Sequence, residues 1–303
     1  MNHEPVTMNH EPVTMNHEPV TMNPFPKYNF HTHSQYDDGK EPLEDYVQAA
    51  IAAGLKAYGF SGHSPLPFDN HWSLPKDVLP EYLAEAKRLR EKYKHLIDIY
   101  VGLEIDYIQG YSDNFRVLIN ECGLDYGIGS VHLVMKPGSN DPADIWFIDG
   151  PREGYIKGIE TIYGGDAKMA VQAYYAQQAE MVETQKPDII GHLDKVNMHN
   201  KGELFDPASG WYRQSVDHLL DAISGAGTIV EVNTRGVYSG KTDDFLPNND
   251  ILKRCLDRNI PVMVSTDAHH PSQVDRLFED GTKVLKDIGF KKITTPFFEL
   301  DIS

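Results

Sequence analysis

The stretch Asn29-Phe30-His31-Thr32-His33-Ser34-Gln35-Tyr36-Asp37-Asp38-Gly39 decides how the rest of the chain is read. An apolar-flanked run delivers imidazoles at i and i+2. A strand turns i and i+2 to one face, so both rings can reach a common metal ion. Later strand-like segments also end near residues able to bind metal, so the chain reads as a scaffold that returns those residues to His31 and His33.

Outward from that pair, short apolar runs alternate with amphipathic stretches. The spacing predicts strands over 27–30, 56–61, 98–106, 126–131, 188–191, 228–233 and 261–265. Helices are expected over 42–53, 80–94, 113–122, 167–186, 211–226, 250–258 and 274–288, with Pro42 near the first turn of the first and Gly54 just past its end. A short apolar run near Phe297 follows. This alternation implies parallel pairing through right-handed crossovers. The fold class is therefore α/β, and seven such units suggest a (β/α)7, TIM-like barrel one unit short. In such barrels the site lies at the carboxyl ends of the strands, which is where the potential ligands fall. The Gly-, Pro- and Asp-rich stretch 135–166 is expected to be a long irregular loop facing the substrate.

Composition narrows the function. The chain has 303 residues with 28 Lys and Arg against 45 Asp and Glu, a net charge of −17, so it lacks the basic footprint of a nucleic-acid binder. No long apolar span or signal peptide stands out, and Cys122 and Cys255 are the only cysteines, which fits a reducing compartment. A cytoplasmic protein without a membrane partner is expected. Residues 1–21 are three copies of Met-Asn-His-Glu-Pro-Val-Thr, read within a disordered tail, 1–23, ahead of one domain over 24–303. The tail holds three Glu and no Lys or Arg, so the acidity belongs to the body.

His31, His33, His63, His132, His192 and His269, with Asp38, Glu104 and Asp267, lie at or near the ends of the predicted strands. A single histidine there is usually a capped or core residue. The coincidence of all of them points to metal. Imidazole with carboxylate suits zinc, iron or manganese, and this many donors implies two or three ions.

These residues carry a family resemblance. His31-Thr-His33-Ser with Asp38-Gly39, then Gly62-His63-Ser64-Pro65, Gly102-Leu-Glu104, Gly129-Ser-Val-His132, Gly191-His192-Leu-Asp194 and Ser265-Thr-Asp267-Ala-His269, together resemble the polymerase and histidinol phosphatase family. Tyr163-Gly-Gly-Asp166, Tyr174-Tyr175 and Glu231-Val-Asn-Thr-Arg235-Gly resemble its monofunctional histidinol-phosphatase branch. The resemblance implies a distorted (β/α)7 barrel with a trinuclear site in which His31, His33, Glu104 and Asp267 hold one ion. Glu104 would bridge to a second ion on His132 and His192, and Asp38, His63 and His269 would take the third. Many members have His where this chain has Asp38, and Asp37 adjoins it, so either aspartate could be the ligand.

The chemistry that follows is attack of a metal-bridging hydroxide on a small phosphate monoester, with L-histidinol phosphate as the substrate implied by the resemblance. Glu104 and Asp267 would act as ligands at the reacting centre. Arg235, directly after a strand, could grip the phosphate with its planar fork or pair with a surface carboxylate. Lys195 is a further candidate for phosphate. Asp194 could orient a ligand histidine or cap a turn. His71 and Trp72 read as a loop contact without a role in binding, the alternative being closure over a substrate. His95, His199, His218 and His270 read as ordinary residues, and both cysteines as packing groups. Two alternatives stay open: another ester, such as a nucleotide, sugar phosphate or phosphotyrosine, and a metal-binding regulatory module without catalysis.

Overall fold

In the computed structural model, residues 26–303 are described, so the expected disordered tail over 1–23 lies outside the described residues. The strands in chain order are β1 (Tyr28–Asn29), β2 (Ala57–Phe60), β3 (Asp98–Asp106), β4 (Tyr126–Ser130), β5 (Leu133–Met135), β6 (Ile145–Phe147), β7 (Ile189–Ile190), β8 (Ile229–Asn233), β9 (Val262–Ser265), β10 (Lys292–Thr294) and β11 (Glu299–Asp301). Seven of them form one parallel sheet in the order β1-β2-β3-β4-β7-β8-β9. Past the ends of β1 and β9 the sheet nearly closes on itself: His33 N donates to Ala268 O (2.9 Å) and Ala268 N to His31 O (3.1 Å). The expected seven-stranded, TIM-like barrel is thus observed, and the closing bridge passes through the His31/His33 segment itself.

Alternation along β3 shows how a short strand serves core and site together. Leu103 and Ile105 are buried apolar residues, and Ile105 meets the helix Phe115–Cys122 where Ile119 crosses Gly127. Gly102, Glu104 and Asp106 face the barrel interior on the other side of the pleat. Gly102 is required there by close approach, because a Cβ would lie 2.6 Å from the Tyr126 ring. Tyr126 spans the interior and donates to Phe30 O (2.6 Å) or Phe60 O (3.0 Å). The far end of the barrel is plugged by Phe297, whose ring stacks on Tyr100 at 3.7 Å and meets Phe30 edge-on at 5.2 Å.

Two expectations need correction. Residues 135–166 are not one irregular loop, since β5 and β6 pair as an antiparallel hairpin and a helix runs over Arg152–Tyr163. The last helix is Phe278–Ile288 rather than 274–288, because Leu277 has a left-handed φ of +57° that cannot continue a helix. Among the described residues no helix is long and apolar enough to cross a membrane.

Candidate metal centre

Glu104, near the carboxyl end of β3, is 1% exposed and divides its oxygens between two sets of imidazoles. Its Oε2 lies 3.3 Å from His31 Nε2, 3.4 Å from His33 Nε2 and 3.1 Å from His63 Nδ1. Its Oε1 lies 3.0 Å from His192 Nε2 and 3.7 Å from His132 Nε2, and accepts from Ser130 Oγ (2.6 Å). Asp267, just past β9, turns Oδ1 to His33 Nε2 (3.4 Å) and His269 Nδ1 (3.3 Å), and His269 Nε2 reaches Asp38 Oδ1 (3.1 Å). All nine residues singled out in the sequence therefore converge.

The convergence leaves donor atoms unsatisfied. His31 Nε2, His63 Nδ1, Asp38 Oδ1 and Asp267 Oδ1 are buried without a hydrogen-bond partner. Lone buried polar atoms are costly, and several aimed at one small region fit divalent cations. The donor set, imidazole and carboxylate without thiolate, suits zinc, iron or manganese. The groups that could hold an ion are His31/Glu104/His192, His31/His33/Asp267, His33/His63/Glu104, His33/Asp38/His269 and His63/Asp106/His132. Within these overlapping groups Asp38 falls with His269, and the His63 and His269 rings flank that of His33 at 4.5 and 4.2 Å.

Three carboxylates behind the rings orient the histidines, two of them outside the expected set and the third, Asp37, expected only as an alternative to Asp38. Glu231 Oε1 is 2.5 Å from His31 Nδ1, Asp37 Oδ2 is 2.6 Å from His33 Nδ1, and Asp106 Oδ1 is 2.8 Å from His132 Nδ1. An ionised carboxylate only accepts, so each Nδ1–H donates and Nε2 is the nitrogen turned toward the centre. Asp37 also accepts from Ser34 N (2.8 Å) and His63 N (3.0 Å), which consumes it, whereas Asp38 keeps an unpaired oxygen. Of the two, Asp38 is the one that faces His269 and the cleft. Sequence offered a faint signal for two of the three, since Asp106 is i+2 from Glu104 on β3 and Glu231 lies on the strand leading to Arg235.

Burial alone would push Glu104 and Asp267 up. The imidazoles of His63, His31 and His132 around Glu104, and of His31 with the Arg235 guanidinium around Asp267, hold both well below the usual carboxylate range instead. Burial would likewise lower His33, but the Asp37 charge and the Asp267 bond raise it to about 10, and Glu231 and Asp267 raise His31. Burial prevails at His269, which falls to about 4. His192 and Asp267 sit at φ +22° and +51°. Backbone in that region costs about 1 kcal/mol or more for a residue with a side chain and is tolerated where packing forces it.

Beside the centre is a cleft of about 360 Å³ whose other charged side chains include Arg235, Lys195, Lys241 and Asp149. Lys195 Nζ lies 2.7 Å from Asp149 Oδ2 and 3.1 Å from His132 Nε2. Arg235 Nη1 donates to Asp267 O (3.0 Å) and its backbone N is held by Asn233 Oδ1 (2.9 Å). Among the described residues Asp194 pairs with no imidazole. Its Oδ2 accepts from Asn248 N and Nδ2 (3.1 Å each), so it fixes a turn. His71 and Trp72 line the cleft, His95, His218 and His270 are exposed, and His199 is half-buried with Nε2 2.9 Å from Gly150 O. Cys255 is buried and Cys122 half-buried, both in helices.

The PHP domain model matches residues 29–235. The chain is 30% identical to a probable histidinol-phosphatase of Deinococcus radiodurans over 82% of this chain and 88% of that protein. It is 25% identical to the histidinol-phosphatase of Bacillus subtilis over 84% and 97%. Among solved structures, the putative histidinol phosphatase of Listeria monocytogenes superposes with a TM-score of 0.74 at 24% identity, over 84% of this chain and 99% of that one. The histidinol phosphate phosphatase of Lactococcus lactis, solved with zinc, L-histidinol and phosphate, gives 0.65 at 22%, over 91% and 99%. At those identities the two structures speak to the shared fold.

Proposed function

The chain belongs to the PHP domain family, and from that premise we propose that it is a metal-dependent phosphatase that hydrolyses L-histidinol phosphate to L-histidinol and phosphate. The observation that carries the reading is the set of buried, unpaired nitrogen and oxygen atoms of His31, His63, Asp38 and Asp267 around Glu104, at the floor of a cleft with Arg235 and Lys195. Its metal set is His31, His33, Asp38, His63, Glu104, His132, His192, Asp267 and His269, holding two or three ions of zinc, iron or manganese. The relatives named histidinol-phosphatase support the choice of ester.

Divalent ions in such a centre supply a water of lowered pKa and neutralise phosphoryl charge. The chain's own contribution is position and charge. Glu231, Asp37 and Asp106 keep protons on the Nδ1 atoms and so leave Nε2 available to bind. Arg235 and Lys195 engage phosphoryl oxygens through charged N–H donors. A phosphate ester beside Lys195 would draw its ammonium away from His132 Nε2, the atom that the cation needs. We read residues 24–303 as one catalytic domain with a small phosphate ester as its partner and the cytoplasm as its setting; Cys122 and Cys255 as free thiols agree with that compartment.

The test is phosphate release from L-histidinol phosphate and from unrelated monoesters by metal-loaded protein. A marked preference for histidinol phosphate supports the reading, and equal rates across the panel overturn the substrate.

A further inference from the structure

Two aromatic rings from different loops meet at the mouth of the cleft. Trp72, between β2 and β3, and Phe147, at the end of β6, lie nearly parallel, 19° between planes and 5.9 Å between centroids. Each is fixed independently. Asn70 Oδ1 accepts from Trp72 N (3.0 Å) and Ser73 N (2.8 Å), and Leu74 N donates to His63 O (3.1 Å), so the Trp72 turn is tied to the strand end that carries His63. On the other side, the pairing of Leu133 with Phe147 and Met135 with Ile145 puts these four side chains on one face of the hairpin, and Trp146 on the other. Trp146 is anchored in the main core, its Nε1 donating to Tyr155 O (3.0 Å). Leu133 and Met135 belong to a second, small apolar cluster, and Trp72 packs against it.

The two rings are therefore braced from behind, yet Phe147 remains 38% exposed. Trp72 also meets the His63 ring at 4.9 Å and 85°, so the wall begins at the edge of the metal centre. An alcohol esterified to a phosphate on that floor must leave the centre along some side of the cleft. Lys195, Arg235 and Lys241 outnumber Asp149, which is paired to Lys195, so that side of the cleft repels the ammonium of an amino alcohol. Aromatic faces attract both a flat ring and a cation.

Building on the phosphatase reading above, we propose that Trp72 and Phe147 receive the imidazole ring of the leaving alcohol and so set the preference for histidinol phosphate over aliphatic phosphate esters. The pair discriminates by stacking on the alcohol and takes no part in the transfer of the phosphoryl group.

The test compares kcat/KM for L-histidinol phosphate and for glycerol phosphate in the metal-loaded full chain and in Trp72→Leu, Phe147→Leu and Trp72→Phe. The expected result is a fall of about tenfold in the histidinol phosphate to glycerol phosphate ratio for each leucine variant, carried by KM, with most of it restored in Trp72→Phe. An unchanged ratio in Phe147→Leu, which lies away from the histidines, overturns the proposal. So does an equal fall for both esters in the leucine variants, which is what mere support of the centre would produce. Equal rates on the two esters by the unsubstituted protein would instead contradict the phosphatase's substrate assignment, so the two failures are told apart.

Discussion

Glu231 Oε1 lies 2.5 Å from His31 Nδ1, with both side chains wholly buried. Its other oxygen accepts from His192 N (2.9 Å) and Asn233 Nδ2 (3.1 Å), so one carboxylate fixes a ring from β1 and the backbone after β7. Two histidines that must converge on Glu104 from strands on different sides of the barrel are thereby locked to a common post.

Replacing Glu231 with Gln keeps the shape but removes the negative charge that holds the proton on His31 Nδ1. Affinity for divalent metal should fall by about 10- to 100-fold while the far-ultraviolet circular dichroism stays native. Competition with a chromogenic chelator measures it. Affinity equal to that of the unsubstituted protein would show that Glu231 does not control the ring.

Lys195 is held between Asp149 and His132. Its replacement by Met should lower kcat/KM for the phosphate ester by about tenfold or more, as expected for loss of a charged donor to phosphate. Steady-state kinetics decide, and retention of the original value would leave Lys195 as no more than a partner of Asp149.

The pH dependence of metal binding has a defined sign. Without cations, His31 is raised and His33 is raised to about 10, so both keep protons at neutral pH. A cation must displace them, and apparent affinity should drop as pH is lowered. Titration calorimetry near pH 7 in buffers of different ionisation enthalpy should register proton release, and heats independent of buffer would refute it. For the metal-free fold, His33 has a folded pKa of about 10 against 6.5 unfolded. Its stabilisation is therefore complete below 6.5 and is lost as pH rises toward 10.

Gly102→Ala tests the packing beneath the site. The added methyl would sit 2.6 Å from the Tyr126 ring, which also lies across Gly59. Urea unfolding should show a loss of about 1–3 kcal/mol from overpacking. Unaltered stability would mean that Tyr126 has room to yield.

Much of this was legible in sequence because the barrel separates tasks by parity. On β3, Leu103 and Ile105 face the helices while Glu104 faces the site, so an apolar run ending in a ligand is visible as such. The histidines stand out because that residue type is uncommon and each followed a strand. Glu231 and Asp106 did not, since carboxylates are frequent in an acidic chain and their burial belongs to the tertiary structure. The helix Arg152–Tyr163 was hidden by Gly154 and Gly158, which lower helix propensity. Gly158 is there for packing: a Cβ would lie 2.2 Å from the Trp146 ring. That same ring anchors the hairpin read as irregular loop, because its Pro-, Gly- and Asp-rich turn outweighed two three-residue strands.

The most direct test is phosphate release from L-histidinol phosphate by the unsubstituted chain and by Glu104→Gln, both equilibrated with the same divalent ion. Glu104 turns one oxygen to His31, His33 and His63 and the other to His192 and His132, so the account predicts robust turnover by the former and a fall of about a hundredfold or more in the latter. Equal turnover by the two proteins would contradict it.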